Sequence, residues 1–140
     1  IVLSGYAVAW VNDDWNANAI SHMDSNTITN SGTITVGSRG ISLYSGAYAQ
    51  KGDDNDADQR AFALSTLNYN TITNSGTITA GNQGIRIYSH AVASAFEWSS
   101  DADSYAEVIN NKITNSGTIT ADAGIVIKAT AESYVADNAA

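Results

Sequence analysis

Carboxylates carry most of the chemistry this chain could offer, and they recur. Counted from Ile1, Ile41, Ile85 and Ile125, an acid stands twelve positions on each time, at Asp13, Asp53, Glu97 and Asp137. Asp14, Asp54, Asp56, Asp58, Asp101 and Asp103 crowd the same stretches. At one strand spacing, ~4.8 Å, such charges repel by roughly 0.9 kcal/mol in a water-like dielectric. They must therefore be solvated or bridged by a cation. Calcium takes carboxylate and carbonyl oxygens, which makes Asp53, Asp54, Asp56 and Asp58 its candidate ligands. The run Asp54-x-Asp56-x-Asp58 lacks the glycine and the distal glutamate of an EF-hand loop. A solvated, charged loop tip is the plainer reading.

Other chemistry finds less support. His22 and His90 fall at different repeat positions. Ser21-His22-Met23-Asp24 is no triad, because neighbours on a strand point to opposite faces. The absence of cysteine excludes a thiolate nucleophile, a thiolate metal site and a disulfide scaffold. No nucleophile elbow, P-loop or dinucleotide fingerprint is present. No catalytic residue is assigned and no enzyme is expected. Trp10, Trp15, Trp98, Tyr44 and Tyr88 could stack on sugars, although Tyr44 and Tyr88 share a repeat position and predict an outward tyrosine ladder. Outward T-x-T ranks (Thr27/Thr29, Thr71/Thr73, Thr33/Thr35, Thr77/Thr79, Thr118/Thr120) resemble the ice-binding faces of some solenoid antifreeze proteins. Threonine also suits any solvated strand face, and Lys112 interrupts one rank.

The elements that must position these groups come from an internal repeat. NTITNSGTIT stands at Asn26–Thr35 and at Asn70–Thr79, and NKITNSGTIT at Asn111–Thr120. Each runs through a glycine turn into a second motif beginning at Ile41, Ile85 or Ile125, and Ile1 opens a further copy. The four isoleucines are spaced by 40, 44 and 40 residues, with the four extra residues in the Asp-rich stretch Gly52–Arg60. Equivalent positions alternate. Leu3, Leu43, Ile87 and Ile127, then Ala7, Ala47, Ala91 and Ala131, then Ala9, Ala49, Ala93 and Ser133 lie two, six and eight residues on, with variable residues between. Period two predicts strands with one buried face. A second small-residue arm has the inward sets Ala17, Ala19, Ser21, Met23; Ala61, Ala63, Ser65, Leu67; and Ala102, Ser104, Ala106, Val108. In the T-I-T pieces the isoleucine points inward. Asn-Ser-Gly is expected to turn the chain through positive φ. The asparagine columns Asn26/Asn70/Asn111 and Asn30/Asn74/Asn115 should bond amide to amide up the stack.

The recurring ITNSGTIT, glycine turn and G-I-x-I resemble the β-solenoid repeats of bacterial autotransporter passengers and repetitive surface adhesins. The resemblance implies a right-handed parallel β-helix, export, and an extracellular or cell-surface location. Two windings are compatible with the repeat: two coils each, or one large coil from which the Ala/Ser arms project as a thin β-arch. One coil is expected, because the halves of the repeat are unlike each other.

The expected fold is therefore all-β, a parallel β-solenoid of 40–44-residue repeats (1–40, 41–84, 85–124 and a partial 125–140). Six Lys+Arg against 14 Asp+Glu argue against nucleic acid, and no apolar run reaches the ~18 residues of a membrane span. The expected role is structural or adhesive. A carbohydrate-binding or carbohydrate-active β-helix is the alternative, and an ice-binding surface a lesser one. Proline is absent, leaving the backbone ladders uninterrupted, and no capping element is legible at either end. The stack is expected to continue, as further repeats or as copies joined head to tail, with surface glycans or other surface proteins as possible partners.

Overall fold

The computed structural model describes residues 1–11, 16–52, 60–96 and 101–136, without the side chain of Phe96. Among them are thirteen strands and no helix. The strands form four sheets, and every pairing is parallel. The first sheet holds β1 (Val2–Val11), β5 (Arg39–Lys51), β9 (Gln83–Phe96) and β13 (Ala123–Ala136). The second holds β2 (Ala17–His22), β6 (Arg60–Thr66) and β10 (Asp101–Glu107). The third holds β3 (Thr27–Asn30), β7 (Thr71–Asn74) and β11 (Lys112–Asn115), and the fourth β4 (Thr33–Val36), β8 (Thr77–Ala80) and β12 (Thr118–Thr120).

Each full pass of the chain adds one strand to each sheet, and the partial fourth pass adds β13 to the first. Ile41 pairs directly with Ile85, and Ile85 with Ile125. One repeat therefore advances the stack by one strand, which is the single-coil winding and not two coils per repeat. The 44-residue spacing does not disturb the register. Val11 pairs with Lys51 and Ala17 with Ala61, so five residues join these strands in the first pass and nine in the second.

Alternation sorts the inward side chains into two cores. Ile28, Ile41, Leu43, Leu67, Ile72, Ile78, Ile85 and Ile87 make a core of branched aliphatics, with Met23, Ile34, Val108, Ile113 and Ile119 packed against it. Beyond it, the second halves of β5 and β9 face β2 and β6 through alanine. Ala17, Ala19, Ala47, Ala49, Ala61, Ala63, Ala91, Ala93 and Ala95 form this seam. Where the two cores meet, serines cross between the sheets. Ser45 Oγ lies 2.9 Å from Ser21 Oγ and 3.1 Å from its carbonyl oxygen. Ser89 reaches Ser65 in the same way, at 2.8 Å to each. A hydroxyl one bond beyond Cβ could not touch the opposite main chain across the ~10 Å of ordinary stacked sheets. Small side chains let these two sheets close.

The corners correct one expectation. No glycine among the described residues has positive φ, so Asn-Ser-Gly does not turn through the left-handed region. Its glycine answers to stacking instead. A Cβ on Gly76 would stand 1.9 Å from the carbonyl oxygen of Gly32, and one on Gly117 1.9 Å from that of Gly76. The left-handed position is another corner, at Ser25 (φ 61°), Tyr69 (φ 59°) and Asn110 (φ 55°). Such backbone costs roughly 1–2 kcal/mol per residue. Interstrand bonds hold it: Ser25 N–H donates to Asn68 O (2.9 Å) and Tyr69 N–H to Ile109 O (3.2 Å).

The asparagine columns follow that corner. Asn26 donates its side-chain amide to Asn70 Oδ1 (3.0 Å), and Asn70 to Asn111 Oδ1 (2.9 Å). Asn30 donates to Asn74 and Asn74 to Asn115, both at 2.7 Å. A further column, not expected, runs beside them: Asp24 Oδ1 accepts from Asn68 N–H (2.8 Å) and Asn68 Oδ1 from Ile109 N–H (3.0 Å).

Candidate functional site

Because Ile41, Leu43, Ala47 and Ala49 point inward, the residues between them must line the outer face of the first sheet. Parallel register then sets Tyr44 beside Tyr88, Ser42 beside Arg86, and Lys128 beyond Tyr88. The side chains pack into one continuous patch. The Tyr44 and Tyr88 rings lie 5.6 Å apart, the outward pair expected from their shared position. The Arg86 guanidinium sits 4.4 Å above the Tyr88 centroid, and Lys128 Nζ 5.4 Å from it. Both are cation–π distances. His90 stacks on Tyr88 at 5.6 Å and 15°, and meets Tyr48 edge-on at 5.3 Å and 81°. Tyr48 packs on Tyr6 at 5.1 Å. Gly46 leaves the space that the Tyr44 ring occupies, since a Cβ there would lie 2.7 Å from Tyr44 Oη.

Hydrogen bonds run through the patch. The Tyr48 hydroxyl lies 2.8 Å from His90 Nδ1 and 3.4 Å from the Tyr44 hydroxyl. Burial first, then the bond with Tyr44, pushes the Tyr48 phenol well above its usual range. His90 Nε2 lies 3.6 Å from Glu132 Oε1 and makes no hydrogen bond. Tyr134 donates to Glu132, which holds that carboxyl below its usual range. A phenol made harder to ionise is a poor nucleophile or base at neutral pH.

Among the described residues, hollows open on this face. One, about 140 Å³, lies over Val8, Trp10, Tyr48, Gln50 and Val92. Another, about 330 Å³, is lined by Val2, Ser4, Arg39, Ser42, Tyr44 and Arg86. Arg39 donates through Nε to its register partner Gln83 at 3.2 Å. Burial, then the charge of Arg39, lowers the pKa of Arg86.

The residues singled out from sequence are scattered. Asp53, Asp54, Asp56 and Asp58, the calcium candidates, lie outside the described residues, as do Asp13, Asp14, Glu97, Asp137, Trp15 and Trp98. Asp101 is exposed on β10, and Asp103 sits 3.5 Å from Arg60 Nε. No group of three or more His, Asp or Glu able to hold a metal occurs among the described residues. Ser21 points into the seam while His22 Nδ1 lies 2.8 Å from Thr66 Oγ1, whose hydroxyl donates to Asp24 at 3.1 Å. Serine and histidine thus occupy opposite faces. The threonine ranks are outward, with Thr27, Thr29, Thr33, Thr35, Thr77, Thr79, Thr118 and Thr120 exposed. Arg39, Arg86, Tyr48, His90 and Glu132 were not legible as a group, because outward columns change residue from pass to pass. Only the register brings them together.

Searches of protein-family models, characterised proteins and solved structures find no match to this chain.

Proposed function

We propose that the chain is a segment of an extracellular, right-handed parallel β-solenoid from a bacterial surface protein or filament. Its role is structural and adhesive, without catalysis. The right hand is supported by the general rule that crossovers between parallel strands of one sheet are right-handed, with few exceptions. The likeness of ITNSGTIT and G-I-x-I to surface-adhesin repeats supports export.

One observation carries the structural reading. Inward columns that are sealed in mid-stack stand open on β13. Ile41, Ile85, Leu43 and Ile87 are fully buried, yet Ile125 and Ile127 in the same columns are 46% and 57% exposed. An open parallel edge over apolar columns is a template for another strand. Further repeats, or the first pass of a second copy, cover it. A head-to-tail contact of that kind does not close and grows into a filament.

Sedimentation and negative-stain microscopy of the chain at rising concentration provide the test. Rods that lengthen with concentration, and that Ile127→Asp keeps short, are expected. A chain that stays monomeric at high concentration with an ordered, uncovered β13 overturns the filament. For adhesion, the outward, half-buried tyrosine–arginine face favours a glycan partner over another protein: its rings and hydroxyls suit sugar faces and edges.

A further inference from the structure

We infer that the hollow between Arg39 and Arg86 binds the carboxylate of an acidic saccharide of the uronate class. The charge pattern is the first reason. The chain carries net charge −8 and only six Lys+Arg, yet two arginines converge on one pocket. Among the described residues, no carboxylate lies within ion-pair reach of either. Two guanidiniums in such proximity repel each other, and an anion between them reverses that cost.

Both side chains are held in advance. Arg86 sits over Tyr88, its Cζ 4.4 Å from the ring centroid, a contact that holds the guanidinium in place while its N–H groups remain to donate. Arg39 is tethered through Nε to Gln83 at 3.2 Å, so its terminal nitrogens remain to donate. A carboxylate bridging two positioned guanidiniums gains charge-assisted hydrogen bonds with little further ordering.

The rest of the lining specifies more than an anion. Ser42 is 3% exposed and lines the pocket, and its hydroxyl has no hydrogen-bond partner among the described residues. Ser4 adds a second hydroxyl, and Tyr44 a ring and a phenol. Hydroxyls and an aromatic wall beside a cation pair match a sugar ring bearing a carboxylate. A volume of about 330 Å³ is at the lower end for small-ligand sites and suits one or two rings. The site itself rests on this geometry; that its ligand belongs to a surface glycan rests on the adhesive role proposed above.

Isothermal calorimetry of the chain tests it with galacturonate, glucuronate and mannuronate tetrasaccharides, their methyl esters, tetraglutamate and acetate. At least one uronate should bind, and its methyl ester about tenfold more weakly or worse, since each charge-assisted bond is worth at least that factor. Arg39→Gln and Arg86→Gln should each weaken it by about the same factor, with unchanged circular dichroism. Arg60→Gln, on the second sheet, should leave it unaltered. The inference fails if no uronate binds, if the esters bind equally, if either arginine variant binds like the parent, or if tetraglutamate or acetate matches the uronate. Filament growth is read in the same variants. Growth without uronate binding removes this inference and leaves the stacking proposal standing; binding without growth does the reverse.

Discussion

The isoleucine core and the alanine seam are built on the same long strands, β5 and β9, yet they hold together in different ways. In the first, each side chain fills volume. Ile41, Ile72, Ile78 and Ile85 are fully buried, and each removes enough apolar surface from water to contribute roughly 1.5–3 kcal/mol. In the second, each alanine buries a single methyl group. What that seam gains is proximity: serine hydroxyls bridge the sheets at 2.8–2.9 Å. One region should suffer from lost volume and the other from added volume.

The largest effect is expected from Ile72→Ala, which leaves a cavity among fully buried neighbours. A loss of about 2–5 kcal/mol is expected, read as a lower midpoint in urea. Ala63→Leu is next. The larger side chain has no room between closely set sheets, and a loss of about 1–3 kcal/mol or more follows. Ala63→Gly should cost only about 0.5–1 kcal/mol, from backbone entropy. Were Ala63→Leu neutral, the two regions would not differ in kind. Ser89→Ala should cost about 1 kcal/mol, because it removes one hydroxyl bridge while keeping the seam's size.

A smaller effect separates the outer face from both cores. The Tyr48 phenol is held protonated in the folded state, first by burial. Below the unfolded pKa, ~10, both states keep this proton and stability does not change with pH. As pH rises past it, the unfolded chain releases the proton first, so stability falls. Melting temperature followed above pH 10 should therefore decline, and Tyr48→Phe should make the decline shallower.

Much of this was legible in the sequence because stacking repeats a demand in every pass. Ile28, Ile72 and Ile113 recur in phase, as do Ala17, Ala61 and Ala102, and period two alone places them inward. The asparagine columns were readable for the same reason. The left-handed corner was not, since Ser25, Tyr69 and Asn110 share a backbone shape and no side-chain chemistry. Glycine at Asn-Ser-Gly suggests a φ requirement, whereas the constraint is the carbonyl of the preceding pass. The arginine pocket is harder still. Arg39 and Arg86 occupy different columns, and neither recurs. Their meeting depends on which strands are neighbours, which no single column records.

That neighbour relation is the foundation of the whole scheme, and a cross-link tests it directly. The chain has no cysteine, and Thr29 and Thr73 are outward register partners on β3 and β7. With one strand per sheet from each repeat, their Cα atoms lie ~4.8 Å apart, inside the ~4.4–6.8 Å span of disulfides. Two coils per repeat would separate them by ~9.6 Å, two ladder spacings, beyond the ~7 Å that a disulfide can bridge. The double variant Thr29→Cys, Thr73→Cys, oxidised at low concentration, should close within the chain without lowering the melting temperature. Thiols that stay free in the folded, oxidised protein would contradict the one-strand-per-repeat stack.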